Sequence, residues 1–283
     1  MRRSRLLRFG AGPEGKGDGI TEPVPTTTRV RREPPRFRQV AVRRVERRSP
    51  RLTRVTLAGP ALAGFVLDEP AASVRLLLPE PGERRPAQPA WNGNEFLLAD
   101  GRRPPIRTLT PRRFDAESLE LDLEVVIHGD GAASAWAEAA TSGDEVAVSG
   151  PGRGYGIDPD ASSFLLAGDE TAAPAISQLL EVLDAEVSVR VRIEVAAPTG
   201  RLELPQHPGA QIEWCDLAAG ATPGDALVVA VRAAQPTAEE KVWVAGEAAA
   251  VQRIRRHLLE ERGLTRSSVH VRGYWKTGRR ESG

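Results

Sequence analysis

The stretch Ser162–Ile176, SSFLLAGDETAAPAI, changes character in its middle. Phe164 to Ala167 form a short apolar run of the kind a strand buried on both faces requires. Gly168 follows, then Asp169 and Glu170, and Thr171 stands where an N-cap belongs. The spacing predicts a strand that turns directly into a helix beginning near Thr171 and covering TAAPAISQLLEVLDA, which is the repeating unit of an open α/β sheet. Downstream, SVRVRIEVAA, AQIEWC, DALVVAV, KVWVAGE and SVHVRGYW read as further strands. EAAAVQRIRRHLLEERG reads as a helix with Ala249, Ile254, Leu258 and Leu259 on one face, ended by Gly263.

Upstream the periodicity is different. FRQVAVRRVERRS and RLTRVTLAG alternate and are separated by Ser49-Pro50. SVRLLLPE is a third strand, running into a Pro- and Gly-rich loop from Pro81 to about Arg103 that only Trp91 interrupts. IRTLTPRRFD and SLELDLEVVIH form a strand pair joined near Ala116-Glu117, with Leu119, Leu121, Leu123, Val125 and Ile127 on one face. A short helix, ASAWAEAAT, precedes the strand DEVAVSG. The predicted fold class is β plus α/β. An antiparallel β-barrel over 36–157 is followed by an open, mostly parallel α/β domain over 158–283. A basic leader, 1–35, has no apolar periodicity and is expected to be disordered.

Composition narrows the function classes. The chain has 283 residues with a net charge of +1, yet residues 1–54 hold 16 Arg and Lys against 5 Asp and Glu. With few aromatics and no known nucleic-acid motif in that leader, nucleic-acid binding is not expected. No apolar run reaches the roughly 20 residues that a membrane-spanning helix needs, and no signal peptide is apparent. One cysteine, Cys215, excludes an internal disulfide, a cysteine zinc site and a self-contained iron–sulfur cluster, and is compatible with a cytoplasmic protein.

Four short constellations carry candidate chemistry. In PPIRTLTPR, Arg107 and Leu109 share one strand face while Thr108 and Thr110 share the other. A guanidinium there suits a pyrophosphate, and the threonines suit hydrogen bonds to a flavin ring; a solvated strand has the same pattern. In HGDGAASAWAEAA, a strand ends at His128 and a helix of small residues follows a Gly-Asp-Gly turn. That end offers backbone N–H groups to a phosphate, with Gly131, Ala133, Ser134 and Trp136 at hand. Trp136 fits a core position better than a stacking one, and His128 fits an ordinary strand end as well as a cofactor contact. In AGDETAAPAI the turn lacks the GxGxxG fingerprint, and Asp169 and Glu170 would repel a phosphate they faced. In the tail, HVRGYWKTGRR, Tyr274 and Trp275 precede Lys276, Arg279 and Arg280, a set suited to covering a ring and drawing an anion, or to packing and solubility.

In this order RTLTPR, HG-x-G-x-x-S-x-WA, GDEV-x-V-x-GP, LLAGDETAAPAI, WVAGE and GYWKTG resemble the siderophore-interacting protein family, the FAD-dependent ferric-siderophore reductases of the ferredoxin–NADP reductase-like superfamily. The resemblance runs from Arg36 to Gly278. It implies an FAD-binding barrel, a domain for NADPH or NADH, and a ferric siderophore as substrate, with no catalytic acid or base. Carried over, Arg107 holds the FAD phosphates, Thr108, Leu109 and Thr110 meet the flavin, and His128, Gly131, Ala133, Ser134 and Trp136 line its pyrophosphate and adenine side. Gly168, Asp169, Glu170 and Thr171 form the nicotinamide-side turn, and Gly246 and Glu247 stand where related reductases have a Cys-Gly pair. Tyr274 and Trp275 close the site, and Lys276 attracts the anionic substrate. A ferredoxin replaces the nicotinamide donor in some relatives, and a monomer is expected. The family usually reads Arg-x-Tyr-Thr where this chain has Leu109. That departure keeps two alternatives open: another flavin reductase serving electron transfer, or a non-enzymatic siderophore-binding protein with a decayed flavin site.

Overall fold

The computed structural model describes residues 33–128 and 131–278. The leader up to Arg32, the Gly129-Asp130 part of the turn, and Arg279 and Arg280 lie outside the described residues. The first half builds β1 (Phe37–Ser49), β2 (Leu52–Ala58), β3 (Val74–Leu77), β4 (Ala90–Trp91), β5 (Phe96–Leu97), β6 (Ile106–Leu109), β7 (Pro111–Asp115), β8 (Glu120–Val126), α1 (Ala132–Ala139) and β9 (Glu145–Ser149). Seven of these strands form one antiparallel sheet in the order β6-β3-β9-β1-β2-β8-β7. β6 and β7 stand at its opposite ends, yet only Thr110 separates them in the chain. The sheet must therefore curl round until its two edges meet.

Alternation explains the interior. On β8, Leu121, Leu123 and Val125 point into a core with Val55, Leu57, Leu76 and Val148. Glu120, Asp122 and Glu124 point outward, where Glu124 sits opposite Arg54 in register and bonds it at 2.6 Å.

The second half builds β10 (Ser163–Asp169), α2 (Ala173–Val182), β11 (Ser188–Val195), β12 (Ala210–Asp216), α3 (Asp225–Ala234), β13 (Lys241–Glu247), α4 (Ala248–Arg256) and β14 (Val269–Trp275). The five strands are parallel, in the order β12-β11-β10-β13-β14. Strand order reverses between β10 and β13, so the crevice for a ligand opens beyond their carboxyl ends.

Four expectations need correction. DALVVAV is a helix, α3, and not a strand. Leu227, Val228, Ala230 and Val231 are buried while Val229 is exposed, which is helical spacing. A valine-rich run of seven suits both states locally; here its packing on the parallel sheet, with a cap supplied by β11, selects helix. The helix after β10 starts at Ala173, behind one 3-10 turn over Glu170–Ala172, and the capping side chain is Asp169 rather than Thr171. IRTLTPRRFD is two strands, because the chain changes edge at Thr110. The loop after β3 holds a small hairpin, β4–β5, with Trp91 against Phe96.

Candidate functional site

The carboxyl ends of the parallel strands carry a row of acids. Asp169 ends β10 and is buried. One of its oxygens accepts from Thr171 N (2.9 Å) and Thr171 Oγ1 (2.5 Å), the other from Glu247 N (2.8 Å) and Trp275 Nε1 (2.8 Å). Four donors saturate one carboxylate. Burial nevertheless pushes its carboxyl above the usual range, with the donors to it acting the other way. Gly246 lies against it with φ near +150°, where an added Cβ would come within 2.5 Å of Asp169 Oδ2, so only glycine fits.

Each neighbouring strand repeats the device. Glu247 ends β13, and its Oε2 accepts from Ala249 N (2.7 Å) and Ala250 N (2.9 Å), capping α4, while Oε1 accepts from Thr277 N (3.1 Å). Glu194 on β11 reaches across to cap α3, accepting from Gly224 N (2.6 Å) and Leu227 N (2.8 Å). Burial pushes its carboxyl up as well, with nearby Asp169 adding to the effect. Glu170 turns the other way and takes a bidentate bond from Arg51, on the β1–β2 hairpin, at 2.8 and 2.6 Å.

The barrel meets this row through aromatic and hydroxyl groups. His128, just beyond β8, lies 5.1 Å from Trp275 between ring centroids, tilted by 34°. Burial pushes the His128 imidazole below its ordinary value; Asp169 counters this and Arg51 adds to it. Thr110 Oγ1 donates to the Tyr274 hydroxyl at 3.4 Å, and burial raises that phenol. Gln178 of α2 ties the halves together, donating to Pro111 O and accepting from Ala71 N, both at 2.9 Å.

At the start of α1 the arrangement is the reverse of that on the acid row. Gly131 is the N-cap, in extended backbone at φ −67°, and among the described residues no side chain accepts from the first-turn N–H groups. Ser134 is buried and accepts from His128 N while its hydroxyl faces Val126 O and His128 O, so it staples strand end to helix.

Of the residues singled out from sequence, Thr110, His128, Gly168 to Thr171, Gly246, Glu247, Tyr274 and Trp275 converge at this junction. Lys276 is exposed beside Trp275. Trp136 belongs to the barrel core, and Leu109 packs half-buried against that core. Thr108 is exposed, and Arg107 donates to Ile106 O at 3.0 Å among its contacts. Sequence reasoning missed Arg51 and Glu194. Their partners lie 119 and about 30 residues away, so no local spacing announces them. Cys215 has its thiol pushed up to about 11, chiefly by burial, and stays protonated at neutral pH. Among the described residues no cluster of metal-ligating side chains occurs, and no helix is long and apolar enough to cross a membrane.

Comparison with known proteins agrees with this geometry. Residues 41–155 match the model of the siderophore-interacting FAD-binding domain, and residues 161–278 match that of the siderophore-interacting protein. The chain is 30% identical over 246 residues to the NADPH-dependent ferric-chelate reductase of Escherichia coli, covering 85% of this chain and 93% of that protein. It is 29% identical over 240 residues to the ferric vibriobactin reductase of Vibrio cholerae, covering 82% and 87%. A siderophore utilization protein from T. fusca superposes with a TM-score of 0.75 at 37% identity, over 87% of this chain and 95% of that one.

Proposed function

This chain belongs to the siderophore-interacting protein family, and from that premise we propose that it is an FAD-dependent oxidoreductase that uses NAD(P)H to reduce Fe(III) held by a siderophore. The observation that carries the reading is the meeting of two unlike surfaces at one junction. The barrel presents a helix N-terminus that no described side chain caps, beside His128, and the parallel sheet presents its switch point beside Trp275. FAD fits these residues, because its pyrophosphate needs oriented N–H donors next to a residue without a side chain, and α1 with Gly131 supplies both.

In this reading Arg107 and the α1 turn at Gly131 and Ala133 hold the phosphates. Thr108, Leu109 and Thr110 lie along the flavin. Ser134 fixes the strand–helix corner, and Trp136 supports α1 from the core. His128, Tyr274 and Trp275 form the aromatic wall, while Gly168 to Thr171, Gly246 and Glu247 form the donor side. Lys276 offers an exposed cation to an anionic ferric siderophore. The barrel of 36–157 thus serves the cofactor and 158–283 the donor, and the protein acts as a cytoplasmic monomer with NAD(P)H, a ferredoxin being the alternative donor. FAD held by Arg107, Gly131 and Ala133 would supply hydride acceptance from a dihydronicotinamide and one-electron donation to each of two Fe(III), a nicotinamide cation and a proton being released. Hard oxygen donors hold Fe(II) far less tightly than Fe(III), so reduction is release. The side chains need only bind, orient and exclude water, which accords with the lack of an assigned acid–base pair.

The test is the visible spectrum of the purified protein with FAD under nitrogen, followed through additions of NADPH and then a ferric siderophore. The expected result is a flavin spectrum that bleaches with NADPH and returns with the iron complex. A protein that takes up no FAD would sink the reading.

A further inference from the structure

Donor recognition in an open α/β sheet ordinarily places a pyrophosphate on a helix N-terminus beyond the strand ends. In this chain those positions are filled by the protein itself. Asp169 takes Thr171 N at the entry to α2, Glu194 takes Gly224 N and Leu227 N at α3, and Glu247 takes Ala249 N and Ala250 N at α4. All three carboxylates are buried. They cannot rotate aside without other losses, because Asp169 also anchors Trp275 and Glu247 also anchors Thr277. A phosphate brought to these N-termini would find its donors engaged and meet like charge, which opposes binding. Arg51, which reaches this row from the barrel, is committed to Glu170. What the junction leaves for a donor is ring surface, His128, Tyr274 and Trp275, with the exposed Lys276 next to it, which the proposed reading gives to the ferric siderophore.

We propose that the donor site recognises the dihydronicotinamide ring and not the phosphates of the dinucleotide, with Asp169, Glu194 and Glu247 as the residues that exclude phosphate. The inference rests on the donor role read above. It makes reduced nicotinamide mononucleotide, which lacks the pyrophosphate and the adenosine end, an electron donor nearly equal to NADPH. In an enzyme that draws binding energy from the remote half of its donor, such truncation lowers the rate sharply.

The experiment uses the FAD-loaded wild-type protein, so no variant has to fold. Anaerobic stopped-flow at 450 nm compares second-order bleaching rates for NADPH, NADH and reduced nicotinamide mononucleotide, while calorimetry measures binding of adenosine 2′,5′-bisphosphate. The expected result is three rates within about tenfold of one another, a span of 1.4 kcal/mol, and no binding of the bisphosphate at concentrations up to about 1 mM. A larger advantage for NADPH, or a bisphosphate dissociation constant below about 1 mM, overturns the proposal. Flavin that no dihydronicotinamide bleaches, but that ferric siderophore and a chemical reductant cycle normally, refutes the donor role itself and this inference with it.

Discussion

The helix in the barrel and the helices on the parallel sheet begin in opposite ways. α1 starts at Gly131 with first-turn N–H groups that, among the described residues, no side chain accepts. α3 and α4, and the 3-10 turn before α2, start on carboxylates carried by strand ends. A helix N-terminus bears about half a positive charge in either setting, so the difference lies in who neutralises it. On the sheet the protein does so permanently. On the barrel, in the proposed reading, the FAD pyrophosphate does so.

That contrast can be broken first at its one crossing point. Arg51 balances Glu170, the acid of the row that faces the barrel. Arg51→Ala leaves a buried carboxylate without its cation and should cost about 3 kcal/mol, read from urea denaturation midpoints. Adding Glu170→Gln should restore most of the loss, and a double variant no more stable than the single one would show that the charge is not the cause.

Next, the barrel helix can be made to resemble the others. A Cβ at Gly131 would sit 3.8 Å from His128 Cε1 and Ser134 Oγ, in ordinary contact, so Gly131→Asp fits. The new cap should raise stability by about a few tenths of a kcal/mol. The same carboxylate should weaken FAD binding by more than about 100-fold in a fluorescence titration. Opposite signs from one substitution are the signature of a position reserved for an anion.

A smaller effect sharpens the barrel side alone. Leu109→Tyr supplies an aromatic face for stacking, worth about 0.5–1.5 kcal/mol, and should tighten FAD by up to about tenfold. Equal dissociation constants would show that the half-buried leucine already supplies that contact. The smallest effect is one of pH. His128 is pushed below its unfolded value of about 6.5, so the folded state resists its protonation. Stability is therefore complete above pH 6.5, falls as the pH drops through that value, and levels once the folded His128 has itself titrated. His128→Gln should show a shallower acid loss of melting temperature between pH 7.5 and 5.

The sequence made the two-layer plan legible because periodicity two and a strand–turn–helix unit are local signals. Leu121, Leu123 and Val125 announce an inward face by their spacing, and Phe164 to Ala167 announce a buried strand by their length. Asp225–Ala234 misled because Val228, Val229 and Val231 suit a strand, and what makes the segment a helix is a cap from Glu194 about thirty residues earlier. Site positions were legible as motifs, but not their partners. Asp169 and Glu170 read as acids that would repel a phosphate, yet nothing nearby says that Trp275 and Arg51 hold them. Thr110 looked like the middle of one strand, whereas the closing of the barrel, a property of the whole sheet, makes it a seam.

The contact between Gly246 and Asp169 also constrains how this protein could have changed over time. Any side chain at position 246 would occupy the place of Asp169 Oδ2, and removing Asp169 frees the indole of Trp275 and the amide of Glu247 together. A side chain at 246 therefore requires a smaller or differently turned residue at 169, so any change at 246 has to follow or accompany one at 169.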